Sequence, residues 1–158
     1  TRLSEKVSVT IPAGCDDGTR LTLRGKGDAG LNGGPAGDLV LVINVRRDKN
    51  FIREGNDVYL QIPISFVQAA LGDSIQVPTI DGTDVVVDIP EGTQSGKMLR
   101  LKNKGVPIFR GNGRGDMYLK IVVETPKRLS MKEKKLMKEL YETMNPTKAP
   151  KPVPFDND

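Results

Sequence analysis

Gly25-Lys26-Gly27-Asp28-Ala29-Gly30 has the G-x-G-x-x-G spacing with which backbone amides cradle a pyrophosphate, and a strand-like run precedes it. That chemistry also needs a helix whose N-terminal amides face the phosphates, and Leu31-Asn32-Gly33-Gly34-Pro35 cannot start one. Gly92-Thr93-Gln94-Ser95-Gly96-Lys97-Met98 imitates a nucleotide phosphate loop, but it is one residue short between its glycines and puts Met98 where a Mg²⁺-binding hydroxyl belongs. Arg114-Gly115-Asp116 spells a cell-adhesion tripeptide. Asp16, Asp17, Asp81 and Asp84 are the carboxylates to weigh for acid–base work, and each stands in a turn-forming stretch where Asp serves local hydrogen bonding. The chain has no histidine, and Cys15 is its one cysteine. An imidazole base, a disulfide within the chain and a His or multi-Cys metal site are thereby excluded. These residues describe a protein that is not an enzyme and carries no cofactor of its own.

The elements beneath these motifs explain them better, because the chain repeats itself. Pairing Ile11 with Ile89, Gly18 with Gly96, Gly27 with Gly105 and Asp38 with Asp116 requires one constant offset of 78 residues, without a gap, across residues 9–45. The adhesion tripeptide then aligns with Ala36-Gly37-Asp38, so Gly-Asp reads as the turn into a strand. The phosphate-loop imitation aligns with Gly14 to Gly18, a turn with no lysine after it. Each copy has a run of alternating apolar and polar residues, Val7 to Ile11 and Val85 to Ile89, ending at a proline that stops ladder bonding. A short strand follows, Arg20 to Arg24 or Met98 to Lys102, then a Gly-rich loop and a longer strand, Leu39 to Val45 or Met117 to Val123. The period is too long for a solenoid, so this is domain duplication.

A chain of 158 residues with 37% hydrophobic and 4% aromatic content supports small β-sandwiches more readily than a deep catalytic cleft. The 24 Lys and Arg residues against 20 Asp and Glu give a net charge of only +4, spread along the sequence, which gives nucleic-acid binding little support. A lone thiol, with no apolar span or signal-like start, favours a reducing compartment, read as the cytoplasm, and no membrane partner.

Phe51 to Asp57 reads as a turn-rich approach to the strand Val58 to Ile62. Ser65 is an N-cap, Phe66 to Leu71 one or two helical turns and Gly72 the stop. Ser74 to Val77 and Asp84 to Ile89 form a hairpin through Asp81-Gly82, a pair suited to positive φ. Subtracting the offset from positions 58–78 lands before residue 1, so the first module reads as truncated at its N-terminus. Ser130-Met131-Lys132-Glu133 has capping-box spacing and starts a helix at Met131, which Asn145-Pro146 ends. On it Leu136, Met137, Leu140, Tyr141 and Met144 form one apolar stripe, which fits core packing and a subunit interface alike. The tail from Thr147 to Asp158, rich in proline, reads as disordered or extended.

Taken in order, Val9-Thr10-Ile11-Pro12-Ala13-Gly14, Gly37-Asp38-Leu39, Phe51 to Asp57, Pro63 to Gly72, Val77 to Gly82, Gly92 to Lys97, Lys104 to Pro107 and Gly115-Asp116 closely resemble the C-terminal substrate-binding region of the DnaJ family of bacterial J-domain co-chaperones. The resemblance covers residues 1 to about 145. It implies a mainly β chain of two tandem β-sandwich-like domains with a C-terminal amphipathic helix. Residues 1–46 would be the C-terminal part of the first domain, 47–126 the second, 127–145 a dimerisation helix and 146–158 the tail. The family's J-domain with its His-Pro-Asp turn, its Gly/Phe-rich linker and its zinc module of repeated Cys-x-x-Cys units have no counterpart in this sequence, so no zinc is expected here.

The resemblance further implies a homodimer that holds unfolded clients for the ATP-driven chaperone DnaK. An extended peptide would add as a strand to a sheet edge and place alternate side chains in an apolar groove. The family's pocket lies in the first C-terminal domain, and the matching client-binding positions are Val7, Val9 and Leu41, with Leu21 and Leu23 nearby; for the latter two a buried core role is the competing reading. The dimer interface would be Leu136, Met137, Leu140, Tyr141 and Met144. A carbohydrate-binding module would need exposed aromatic platforms, and an RNA-binding one would need aromatics interleaved with Lys and Arg. With no Trp and three Tyr, the chain shows neither pattern.

Overall fold

A computed structural model of the chain describes residues 8–25 and 37–156. Its elements are β1 (Arg20–Leu23), β2 (Leu39–Val42), β3 (Ile52–Glu54), β4 (Asp57–Ser65), α1 (Phe66–Leu71), β5 (Asp73–Pro78), β6 (Asp84–Ile89), β7 (Met98–Leu101), β8 (Met117–Glu124) and α2 (Met131–Met144). The chain is mainly β, and its contacts divide it into two compact units between Glu124 and Thr125.

The strand pairing of the two copies is the same. β1 pairs antiparallel with β2, with Leu21 opposite Leu41, and β7 pairs with β8 in the equivalent register, with Leu99 opposite Leu119. The Gly18 amide donates to the Ile43 carbonyl at 2.8 Å, and in the second copy the Gly96 amide donates to the Ile121 carbonyl at 2.7 Å. Asp38 Oδ1 accepts from the Gly25 amide at 3.2 Å, and Asp116 Oδ1 from the Asn103 amide at 3.0 Å. The aspartate of the would-be adhesion tripeptide is therefore a loop clamp, and Arg100 also pairs with it at 2.6 Å. Arg114 is engaged elsewhere, with Asp81 and the Gly105 carbonyl.

Module two is built on a four-stranded sheet in the order β3-β4-β8-β7. β4 and β8 run parallel, from Val58 opposite Met117 to Ser65 opposite Glu124, and the other neighbours are antiparallel. A parallel pair needs a long crossover, and α1, the β5–β6 hairpin and β7 supply it. Alternation puts Val58, Leu60 and Ile64 of β4 and Met117, Leu119 and Ile121 of β8 on one face. Val77, Val87 and Ile89 of the β5–β6 hairpin and Ala69 of α1 complete that core.

The local signals hold. Ser65 and Ser130 each form a complete capping box, Gly72 caps α1, and Asn145 ends α2 in the left-handed conformation. Gly82 takes φ +84° in the turn of the β5–β6 hairpin. Three expectations need correction. Ser8 to Ile11, expected with Val7 as a strand, lies in none; its counterpart in module two is held by β5, and among the described residues no segment pairs with it. Val7 itself lies outside the described residues, as do residues 26–30 of the G-x-G-x-x-G stretch. The strand from Leu39 stops at Val42 rather than Val45, where its ladder with β1 ends. Phe51 to Asp57 is more than a turn, because Ile52–Glu54 pairs with β4 as an edge strand.

Candidate functional site

Of the positions matched to the client pocket, Leu21, Leu23 and Leu41 lie on the β1–β2 ribbon, Val9 lies in the segment before it, and Val7 is outside the described residues. Leu21 and Leu41 are directly opposite, as are Leu23 and Leu39. Leu21 is buried, whereas Val9, Leu23 and Leu41 are half-buried. The repeat supplies an internal control for this face. The counterpart of Leu41 is Leu119 of β8 and that of Val9 is Val87 of β6, and both belong to the closed core of module two. Val9 and Leu41 thus keep part of their surface open where their counterparts do not, whereas Leu21 is buried more deeply than its counterpart Leu99.

A second surface, which sequence reasoning missed, lies on the outward face of the four-stranded sheet. A groove of about 590 Å³ runs across it, lined by Ile52, Tyr59, Pro63, Met98, Tyr118 and Val122, with Lys49, Asn50, Gln61, Lys120 and Glu124 around them. Its floor follows from register. Ile52 is opposite Tyr59 and Tyr59 is opposite Tyr118, so one row of side chains crosses three strands. The two tyrosine rings stack, with centroids 5.1 Å apart and planes within 16°. Desolvation, and then the nearby carboxylates of Glu54 and Asp57, push the Tyr59 hydroxyl above its ordinary pKa. Alternation in Val58-Tyr59-Leu60-Gln61-Ile62 already marks Tyr59 and Gln61 as facing away from the core. The side-by-side placement of Tyr59 and Tyr118 depends on the parallel pairing of segments 59 residues apart.

The groove ends at two open ladders. β3 and β7 are the edges of the sheet, each with one row of backbone groups unpaired in it, and Ile52 and Met98 stand on them. Chemically the site offers apolar contact, a few hydrogen-bonding groups and backbone pairing. Among the described residues no cluster of three or more His, Cys, Asp or Glu side chains is placed to hold a metal ion. No helix among them is long and apolar enough to cross a membrane.

Helix α2 carries the remaining candidate residues. Leu136, Leu140, Tyr141 and Met144 are exposed, Met137 is half-buried, and no residue of the helix is buried.

The family model described as the DnaJ C terminal domain matches residues 1–126. Chaperone protein DnaJ of Clostridioides difficile (strain 630) is 53% identical over 139 residues, covering 88% of this chain and 36% of the relative. That of Desulfitobacterium hafniense (strain DSM 10664 / DCB-2) is 52% identical over 142 residues, covering 90% and 37%. That of Brucella suis (strain ATCC 23445 / NCTC 10510) is 47% identical over 149 residues, covering 94% and 40%. The chain thus spans between a third and a half of the length of these curated relatives. With a strand pairing shared by two β modules, an apolar groove between open sheet edges and this degree of identity, the chain belongs to the DnaJ family of chaperones, corresponding to its C-terminal region.

Proposed function

We propose that this chain holds unfolded, extended polypeptide, without chemical change, for delivery to a DnaK-type chaperone. The observation that carries the reading is the groove over Tyr59 and Tyr118, bounded by the unpaired edges of β3 and β7. An extended peptide presents side chains on alternating faces, so one set can enter the apolar floor while its backbone pairs with an edge strand. Backbone pairing is indifferent to sequence, which leaves client choice broad.

Leu21, Leu23 and Leu41 on the β1–β2 ribbon, with Val7 and Val9, would form a second client surface. The uncovered stripe of α2 supports a homodimer through Leu136, Met137, Leu140, Tyr141 and Met144. Two subunits would then offer several weak sites to one client chain, and effective concentration would raise overall affinity. A cytoplasmic setting fits the lone thiol of Cys15.

Titrating the chain with a fluorescent unfolded polypeptide, a glycan mixture and RNA at two salt concentrations tests the reading. Saturable binding of the polypeptide, little changed by salt, is expected. Binding of glycan or RNA alone would overturn it.

A further inference from the structure

We infer that Arg53 is a positioning residue that locks module one onto module two, so that one client can be gripped by both; this last step rests on the function proposed above. Among the described residues, the side-chain hydrogen bonds that join residues 8–46 to residues 47–124 both come from its guanidinium. Nη1 donates to the Cys15 carbonyl and Nη2 to the Gly14 carbonyl, each at 2.8 Å. Nε donates to the Gly55 carbonyl at 2.7 Å, which fixes the same side chain to the β3–β4 turn, and Asp16 Oδ2 stands 3.9 Å from Nε. One planar group thus ties two backbone carbonyls of module one to one of module two. An ammonium on a flexible stem has no such fork.

The duplication shows that this contact is additional to what the module needs. Gly14 and its counterpart Gly92 occupy the same turn with positive φ. A Cβ on Gly92 would meet nothing within 4 Å, whereas one on Gly14 would overlap the Pro107 carbonyl oxygen and stand 2.9 Å from the Phe109 amide nitrogen. In module two the residue after the turn glycine, Thr93, donates its amide to the Ala69 carbonyl of α1 at 3.0 Å, inside its own module. In module one the residue in that place, Cys15, instead offers its carbonyl to Arg53. The same turn is therefore turned outward in the first copy, to dock on its neighbour.

A fixed junction sets the span between the β1–β2 ribbon and the groove over Tyr59 and Tyr118. Effective concentration for a client bridging the two depends on that span. The test uses the whole chain carrying Arg53→Ala and, as a milder change, Arg53→Lys. Amide residual dipolar couplings from residues 8–25 with 37–46 and from residues 47–124 should fit one alignment tensor in the wild type and require two in Arg53→Ala. With the circular dichroism of the β fold unchanged, affinity for a long unfolded chain should fall about tenfold while affinity for a peptide filling one site stays constant. Arg53→Lys should fall between. A single tensor in both variants, or an unchanged ratio of long-chain to short-peptide affinity, overturns the inference. If the wild type binds neither ligand, the proposed function fails, and the dipolar couplings still decide whether Arg53 locks the junction.

Discussion

Tyr59 and Tyr118 stand at one register position of the parallel β4–β8 pair and stack ring on ring at 5.1 Å, making the floor of the groove on the outer face of the sheet. Neither side chain belongs to the core cluster beneath them. Their stacking organises the open face of the sheet rather than its interior.

Tyr118→Ala should therefore separate binding from folding. An aromatic pair of this kind contributes about 0.5–1.5 kcal/mol beyond its buried area. The β fold should survive a stability loss of about that size, while affinity for an unfolded client falls. Fluorescence anisotropy with a labelled unfolded peptide measures the loss. Unchanged affinity would move the site off this face.

Leu41 and Leu119 are the same position in the two modules, yet Leu119 is 0% exposed and Leu41 half-buried. Leu119→Ala should cost about 2–5 kcal/mol by leaving a cavity in a closed core. Leu41→Ser should cost clearly less and should weaken client binding. Urea unfolding followed by circular dichroism, beside the same binding titration, checks both. A loss of stability as large at Leu41 as at Leu119 would assign the ribbon a core role alone.

Leu140→Asp places a charge in the middle of the uncovered stripe of α2. Monomers with an intact β fold are expected by light scattering, against dimers for the unaltered chain. An unchanged mass would refute this use of the helix.

Acid should weaken the loop clamps. The backbone amide of Asn103 first, and then Arg100, hold the Asp116 carboxyl below its ordinary value of 3.8; the side-chain hydrogen bond from Arg114 does the same for Asp81. Because the folded values are depressed, the stability these groups contribute is complete above the ordinary carboxylate range and is lost as pH falls through the folded values. Urea midpoints should drop below about pH 4 in the unaltered chain, and Asp116→Asn should flatten that dependence. A midpoint in Asp116→Asn that falls with acid as steeply as in the unaltered chain would exclude Asp116 as a contributor.

The sequence by itself determined whatever closes within a few residues or repeats. The capping boxes at Ser65 and Ser130, the left-handed end at Asn145 and the turn at Gly82 each depend on hydrogen bonds or dihedrals carried by their own segment. The offset of 78 residues likewise carried the pairing register from one module to the other, because equal spacing of turns and strands places equal partners opposite one another. Tertiary structure decided everything that needs a distant partner. Ile52–Glu54 is a strand because β4 lies beside it, while Ser8 to Ile11 alternates well and has no such neighbour among the described residues. The groove exists because β4 and β8 pair in parallel, and Arg53 reaches Gly14 because the modules meet there. A ladder or a docked guanidinium spends chain entropy to join residues dozens of positions apart. No local pattern records which of several matching partners satisfies that cost.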